Sequence, residues 1–144
     1  MIKSIARVAL TSIGVACIFQ FMLHIIQSQF VFLFLKSNIT ILQVALLAIN
    51  GATLGIVLTK VKDIIDKNGK REEFMSAKRE MLLSIKEQVA LIIISLAVIS
   101  LATAKCPPFN FSNEIYQILL IASFLYSLQI LYDTTKSVFL ILDF

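Results

Sequence analysis

The sequence predicts an all-α protein, an integral membrane four-helix bundle with a helical hairpin projecting into the cytoplasm. Composition is the first reason. Of the 144 residues, 58% are hydrophobic and 15% charged, against about 45–50% and about 25% in soluble domains. The second reason is spacing: residues 8–35, 37–59, 88–104 and 115–132 contain no Asp, Glu, Lys or Arg, and a helix crosses a hydrocarbon core of about 30 Å with about 17–25 residues. Backbone groups in lipid are satisfied only inside a helix or a closed barrel, and these runs lack the alternation of barrel strands.

The basic residues set the expected orientation. Eight of the thirteen Lys and Arg residues fall between Lys60 and Lys86. Placing that segment inside also places Lys3, Arg7 and Lys136 inside and leaves Lys36 and Lys105 outside, as the positive-inside rule requires. Both termini are then cytoplasmic and the expected location is a cell inner membrane. Because topology accounts for the +4 net charge, nucleic acid is not an expected partner.

The first span is expected over about 5–27. The basic start and the Gly14-Val15-Ala16-Cys17 run are weighed as a secretory or lipoprotein signal, but apolar sequence continues through Ile18 and Phe19 and favours an uncleaved span. Gln20, His24 and Gln27 share one of its faces. His24 is the only histidine. An imidazole can sense pH or relay protons, whereas a metal site needs further ligands that are not apparent, so an interfacial polar cluster is the preferred reading. Phe30 to Leu35 is expected to be an interfacial or re-entrant stretch, with an over-long, tilted first helix as the alternative.

The second span, about 38–60, carries a stripe of small residues: Ala45, Ala48, Ala52, Gly55 and Thr59, joined by Gly51. Gly51 and Gly55 make a small-xxx-small pair that lets backbones approach where no hydrophobic drive exists. Helix packing is expected there, against another span or a second copy, and a homo-oligomer is an expected partner. Gln43 and Asn50, seven residues apart, bring amides that lipid cannot satisfy. They should point inward, as interhelical hydrogen bonds or, with Gln20 and His24, as a polar lining.

Residues 61–87 read as a helical hairpin turning at Asn68-Gly69. Lys60, Lys62 and Lys67 precede the turn and Glu72 and Glu73 follow it, complementing the dipoles of the two helix ends. A third helix running unbroken from about Lys70 to Ala104 exceeds the bilayer core by about 20 Å. Its span is about 88–104, and Phe74, Ala77, Met81, Leu82, Ile85 and Val89 offer one apolar face for packing. Lys70, Arg71, Lys78, Arg79 and Lys86 are the candidate surface for a cytosolic protein partner, with membrane lipids as the other ligand of such cations.

Cys106-Pro107-Pro108 stops the third helix, and Ser112, Asn113 and Glu114 cap the fourth, whose span is about 115–133. The tail from Asp133 is expected along the inner surface. Tyr116, Ser123, Ser127 and Thr134 fall on one face of the fourth helix, and Ser84, Gln88, Ser95 and Ala102 on one face of the third, as bundle-facing seams. Cys17 and Cys106 lie at different depths, so an internal disulfide is not expected. Cys106 is read as a free thiol or an intersubunit bridge.

Every Asp and Glu falls in a loop, at a boundary or in the tail, which argues against a proton-coupled exporter. No phosphate loop, nucleophile set or metal-ligand cluster is evident, so neither catalysis nor a cofactor is expected. The sequence-level function is a non-enzymatic membrane subunit that oligomerises or docks a cytosolic partner. An oligomeric channel or membrane-permeabilising effector is the alternative. In size, span number and basic inner hairpin the chain is similar to small membrane subunits of phage-exclusion and antiphage defence systems, a resemblance that carries no motif.

Overall fold

The structure is a computed structural model that describes residues 2–68, 71–104 and 113–142, with the side chains of 2–4, 63–74, 76–77 and 137–142 left aside. It contains four helices, α1 (Ile2–Ile25), α2 (Phe30–Asn68), α3 (Arg71–Thr103) and α4 (Asn113–Leu142), each long and apolar enough to cross a membrane. The all-α four-helix bundle expected from the sequence is what forms.

Between α1 and α2 the chain turns within four residues. Ser28 N–H donates to the Leu23 carbonyl and Gln27 N–H to the His24 carbonyl, both at 3.1 Å, while Gln27 holds a φ of 52°. That pairing is a Schellman motif, which satisfies the last carbonyls of α1 with a left-handed residue after the helix. The next helix starts at once, as Leu33 N–H donates to the Gln29 carbonyl at 3.0 Å.

The structure therefore corrects two expectations. Phe30 to Leu35 is neither an irregular stretch nor an extension of the first helix, but the start of α2, and the part of α2 apolar enough to cross a membrane runs Phe30–Lys62 against the expected span of about 38–60. Lys36 and Asn38 do not break it: the Lys36 ammonium lies 5.8 Å from the Phe32 ring centre, and Asn38 Nδ2 donates to its own helix at the Phe34 carbonyl, 2.9 Å away. At 39 residues α2 is about 58 Å long. The segment after Asp133 likewise continues α4 to Leu142 instead of starting a separate surface element.

Helix α4 is the hub, with the other three packed along it, and α2 also packs on α3. The backbone of α1 approaches only that of α4 among the described residues. Side-chain pairings fix the directions: Asn50 meets Gln88 while Leu54 and Val57 cluster with Met81, so α2 and α3 are antiparallel. Ser95 meets Ser123 and Ser84 meets Thr134, so α3 and α4 are antiparallel too. Three apolar clusters separate along the bundle. Ala16, Leu23, Leu35, Ile121 and Ala122 seat α1 on α4; Ile39, Val98, Tyr116 and Leu120 fill the core of α2, α3 and α4 away from the hairpin; Leu54, Val57 and Met81 close the hairpin base.

The outward faces are apolar as lipid contact demands, with Leu10, Ile18, Phe21, Ile41, Ile56 and Ile93 all well exposed. Hydroxyls on these faces bond back to their own helices: Thr53 to the Ile49 carbonyl at 2.8 Å, Thr59 to Gly55 at 3.0 Å and Ser100 to Leu96 at 2.8 Å. Such back-bonding satisfies a hydroxyl that lipid cannot.

Candidate functional site: a buried polar seam and an exposed basic face

Two features of the bundle carry polar chemistry, one enclosed and one outward. The enclosed one arises because Ser84, Gln88 and Ser95 on α3, and Ser123, Ser127 and Thr134 on α4, recur at steps of four and seven and so share a face with the helix period. Gln43 and Asn50 on α2, also seven apart, enter the same seam.

The seam is organised in rungs. In the rung nearer the hairpin, Asn50 Nδ2 donates to Ser84 Oγ and to Gln88 Oε1, each at 3.0 Å, and Ser84 Oγ lies 3.4 Å from Thr134 Oγ1. The Thr134 hydroxyl is already committed to the Ile130 carbonyl at 2.9 Å, so Ser84 is the donor of that contact. In the middle rung Gln43 Nε2 donates to Ser123 Oγ at 2.9 Å and Ser127 Oγ at 3.2 Å, and the Ser95 and Ser123 hydroxyls are 2.7 Å apart. A third rung, between α1 and α4, pairs Gln20 Nε2 with Gln117 Oε1. Asn50, Gln43, Gln88 and Ser95 are essentially fully buried.

At the flank of the seam Tyr126 donates its hydroxyl to a Glu87 carboxylate oxygen at 3.1 Å, both side chains half-buried. Glu87 thus sits between α3 and α4, a contact that a reading of it as a boundary residue did not anticipate. Its i, i+4 relation to Leu91, a buried core position, is the signal that would have found it.

Of the candidate lining, Gln20, Gln43 and Asn50 turn into the protein as expected. His24 does not: it is exposed at the end of α1 with its Nδ1 4.0 Å from Glu114, also exposed. Gln27 is taken up by the turn. The expected bundle-facing Ser95, Ser123, Ser127, Tyr116 and Thr134 are buried in the interior; Ser84 and Ala102 are half-buried.

The small-residue stripe is placed otherwise than packing within the chain would require. Ala45, Ala48, Ala52, Gly55 and Thr59 are exposed, Gly51 is half-exposed, and a Cβ added at Gly51 or Gly55 would meet nothing within 4 Å. The reason is competition for the inward face: Gln43 and Asn50 bury their amides, and that rotation of α2 turns the stripe outward. The stripe thus packs on no other helix of the chain among the described residues.

The outward polar feature is on α3. Met75, Lys78, Arg79, Leu82 and Lys86 are all exposed and, at about 100° per residue, cover one arc of the helix. The opposite arc carries Ser84, Gln88, Leu91 and Ser95, which are committed to the bundle. Met81 and Ile85, expected on a free apolar face, instead pack on Leu54, Val57, Leu58 and Val61 of α2. Lys70 lies outside the described residues, as do the Arg71, Phe74 and Ala77 side chains. Cys106, Pro107, Pro108 and Ser112 also lie outside them, while Cys17 is exposed on α1.

Among the described residues no group of three or more His, Cys, Asp or Glu is placed to hold a metal ion. No family model, curated protein or solved structure matches the chain.

Proposed function

We propose that this chain is a non-catalytic membrane subunit that presents the basic face of α3 to a cytosolic protein with an acidic surface. The observation that supports it is the division of α3 into two faces. One is locked onto α2 and α4 through Met81, Ser84, Gln88 and Leu91. The other leaves Lys78, Arg79 and Lys86 exposed beside Met75 and Leu82, the mixture of cations and apolar side chains that an acidic, partly apolar partner complements. A helix anchored at its base and uncommitted on its outer face loses little conformational freedom on docking. The hairpin end faces the cytoplasm in this reading, by the charge asymmetry of the sequence. The exposed stripe around Gly51 and Gly55 is where copies of the subunit would associate.

The test is co-purification from the native cell after replacing Lys78 and Arg79 with Glu. Loss of a stoichiometric companion with unchanged membrane insertion is the expected result, and retention of the companion sinks the reading. If the face binds headgroups instead, no companion is captured and the same charge reversal weakens binding to anionic vesicles.

The channel alternative finds its polar lining inside one protomer. Gln43 and Asn50 face α3 and α4, so a pore between copies lined by these amides would require α2 to rotate by roughly half a turn.

A further inference from the structure

The seam contains four buried polar atoms with no hydrogen-bond partner among the described residues: Gln20 Oε1, Gln43 Oε1, Asn50 Oδ1 and Gln88 Nε2. Their side chains are 9%, 2%, 0% and 2% exposed, and lipid offers nothing to satisfy them. Leaving such an atom unpaired costs about 1–3 kcal/mol.

Reassigning the amides does not remove the deficit. Rotating Gln43 would bring its oxygen to Ser123 and Ser127, but the Ser127 hydroxyl already donates to the Ser123 carbonyl at 2.9 Å, and the rotated nitrogen would take the unpartnered place. Rotating Asn50 and Gln88 together exchanges Oδ1 and Nε2 for Nδ2 and Oε1 as the unpartnered pair. Each of these rungs stays short of partners in every assignment.

The hairpin-side rung leaves an acceptor, Asn50 Oδ1, and a donor, Gln88 Nε2, on two amides already joined by one hydrogen bond. A molecule that both accepts and donates closes that gap. The middle rung leaves an acceptor, Gln43 Oε1, beside a cluster of three hydroxyls.

We propose that the membrane-embedded core of the protomer binds water at these two rungs, Asn50/Gln88/Ser84 and Gln43/Ser95/Ser123. The rungs are about 10 Å apart along α2 and α3. Buried water takes sites of this kind, with two to four polar partners apiece. The lining is neutral, made of amides and hydroxyls. Of the carboxylates next to rung residues in the chain, Glu87 accepts from Tyr126 and Asp133 accepts from Gln129, so the amides and hydroxyls of the rungs themselves offer no charge to offset the dehydration of an ion.

Buried Leu91 and Ile130 lie between the rungs along α3 and α4. Ile39, Val98, Tyr116 and Leu120 close the seam on one side, and Leu54, Val57 and Met81 on the other. The core is thus two hydrated stations separated by apolar layers, the arrangement in which a polar path is held shut by dewetting.

Two measurements test this on the full chain in bilayers. Water-edited solid-state NMR on protein selectively labelled at Asn, Gln, Ile and Ala should show the Asn50, Gln88 and Gln43 side-chain amides receiving magnetisation from water much faster than the lipid-facing backbone amides of Ile56 and Ala97. Equal build-up overturns the proposal. In a background with Cys17→Ala and Cys106→Ser, Ser95→Cys should react with neutral methyl methanethiosulfonate about tenfold or more faster than Ala97→Cys, a lipid-facing site at similar depth. Only the thiolate reacts, and it forms only where water reaches. Equal rates at the two positions, with the thermal transition of Ser95→Cys retained, would overturn it as well. If that variant fails to fold, the NMR comparison decides on the unaltered seam.

Discussion

Asn50 and Gln88 face each other across the α2–α3 interface through a single 3.0 Å hydrogen bond, and each keeps one polar atom unpartnered. Removing one amide strands the other. Asn50→Leu should lower stability by about 1–3 kcal/mol, because Gln88 and Ser84 lose their shared partner in a site that is 0–2% exposed at the two amides. The double replacement, Asn50→Leu with Gln88→Leu, should cost less than the sum of the two single replacements. A double-mutant cycle by thermal unfolding in detergent should return a coupling of about 0.6 kcal/mol and no more than about 1.7, the range of interhelical hydrogen bonds in membranes. Additive losses would mean that the two amides do not act as a pair.

The hairpin base makes a second prediction, from the contrast between neighbouring residues. Met81 is 8% exposed and clusters with Leu54 and Val57, whereas Leu82 is 49% exposed. Met81→Ala should cost about 2 kcal/mol through the cavity it leaves, while Leu82→Ala should change stability by less than about 0.5 kcal/mol. Thermal unfolding of the two variants checks the order. In the docking reading the effects on partner capture run the other way, with Leu82→Ala weakening capture and Met81→Ala sparing it wherever the helix still forms.

These two cases mark where the sequence was legible. The spans, the order of helices and the inward face of α3 and α4 follow from charge-free runs and from serines at steps of four and seven, because in lipid a polar side chain has only the interior to turn to. The rotation of α2 was harder to read. Its amides and its small residues each argue for the packed face, and they lie on different sides of one helix. The energetics decide: an unsatisfied buried amide costs more than a lipid-facing glycine, so Gln43 and Asn50 took the interior. The start of α2 was misplaced for a different reason. Lys36 and Asn38 look like a boundary, yet the long Lys36 stem lies beside Phe32 and Asn38 bonds back to the Phe34 carbonyl, so neither interrupts the helix. His24 was grouped with Gln20 by helical spacing alone, but at the end of α1 it is Leu23 that turns into the bundle and the neighbouring His24 that stays exposed.

The turn between α1 and α2 supplies a test that depends on backbone alone. Gln27 occupies a φ of 52° after the last turn of α1, a conformation that costs a side-chain-bearing residue about 1–2 kcal/mol and costs glycine far less. Gln27→Gly should therefore stabilise the protein by about 0.5–1 kcal/mol, the relief being partly offset by the freer unfolded chain. Gln27→Val should destabilise it, because a β-branched residue is least compatible with that backbone. A lower melting temperature for the glycine variant would mean that the Gln27 side chain contributes contacts which outweigh the backbone cost.

The last prediction separates folding of the protomer from assembly. A Cβ added at Gly51 or Gly55 meets nothing within 4 Å, and both positions lie within the helical span of α2. Gly51→Ala and Gly55→Ala should then leave the protomer intact or raise its stability by up to about 1 kcal/mol through helix propensity. If copies associate along this stripe, larger side chains act on the dimer alone. Gly55→Leu should prevent the close backbone approach that small residues allow while the melting temperature of the protomer is kept. Dilution in bilayers, read by energy transfer between labelled copies, measures the association directly. A drop in energy transfer with Gly55→Leu and no drop with Ile93→Leu, a change on the lipid-facing side of α3 where Ile93 is 62% exposed, assigns the contact to α2. Equal energy transfer in both variants would place any self-association elsewhere, and no energy transfer in the unaltered chain would leave the stripe facing lipid only.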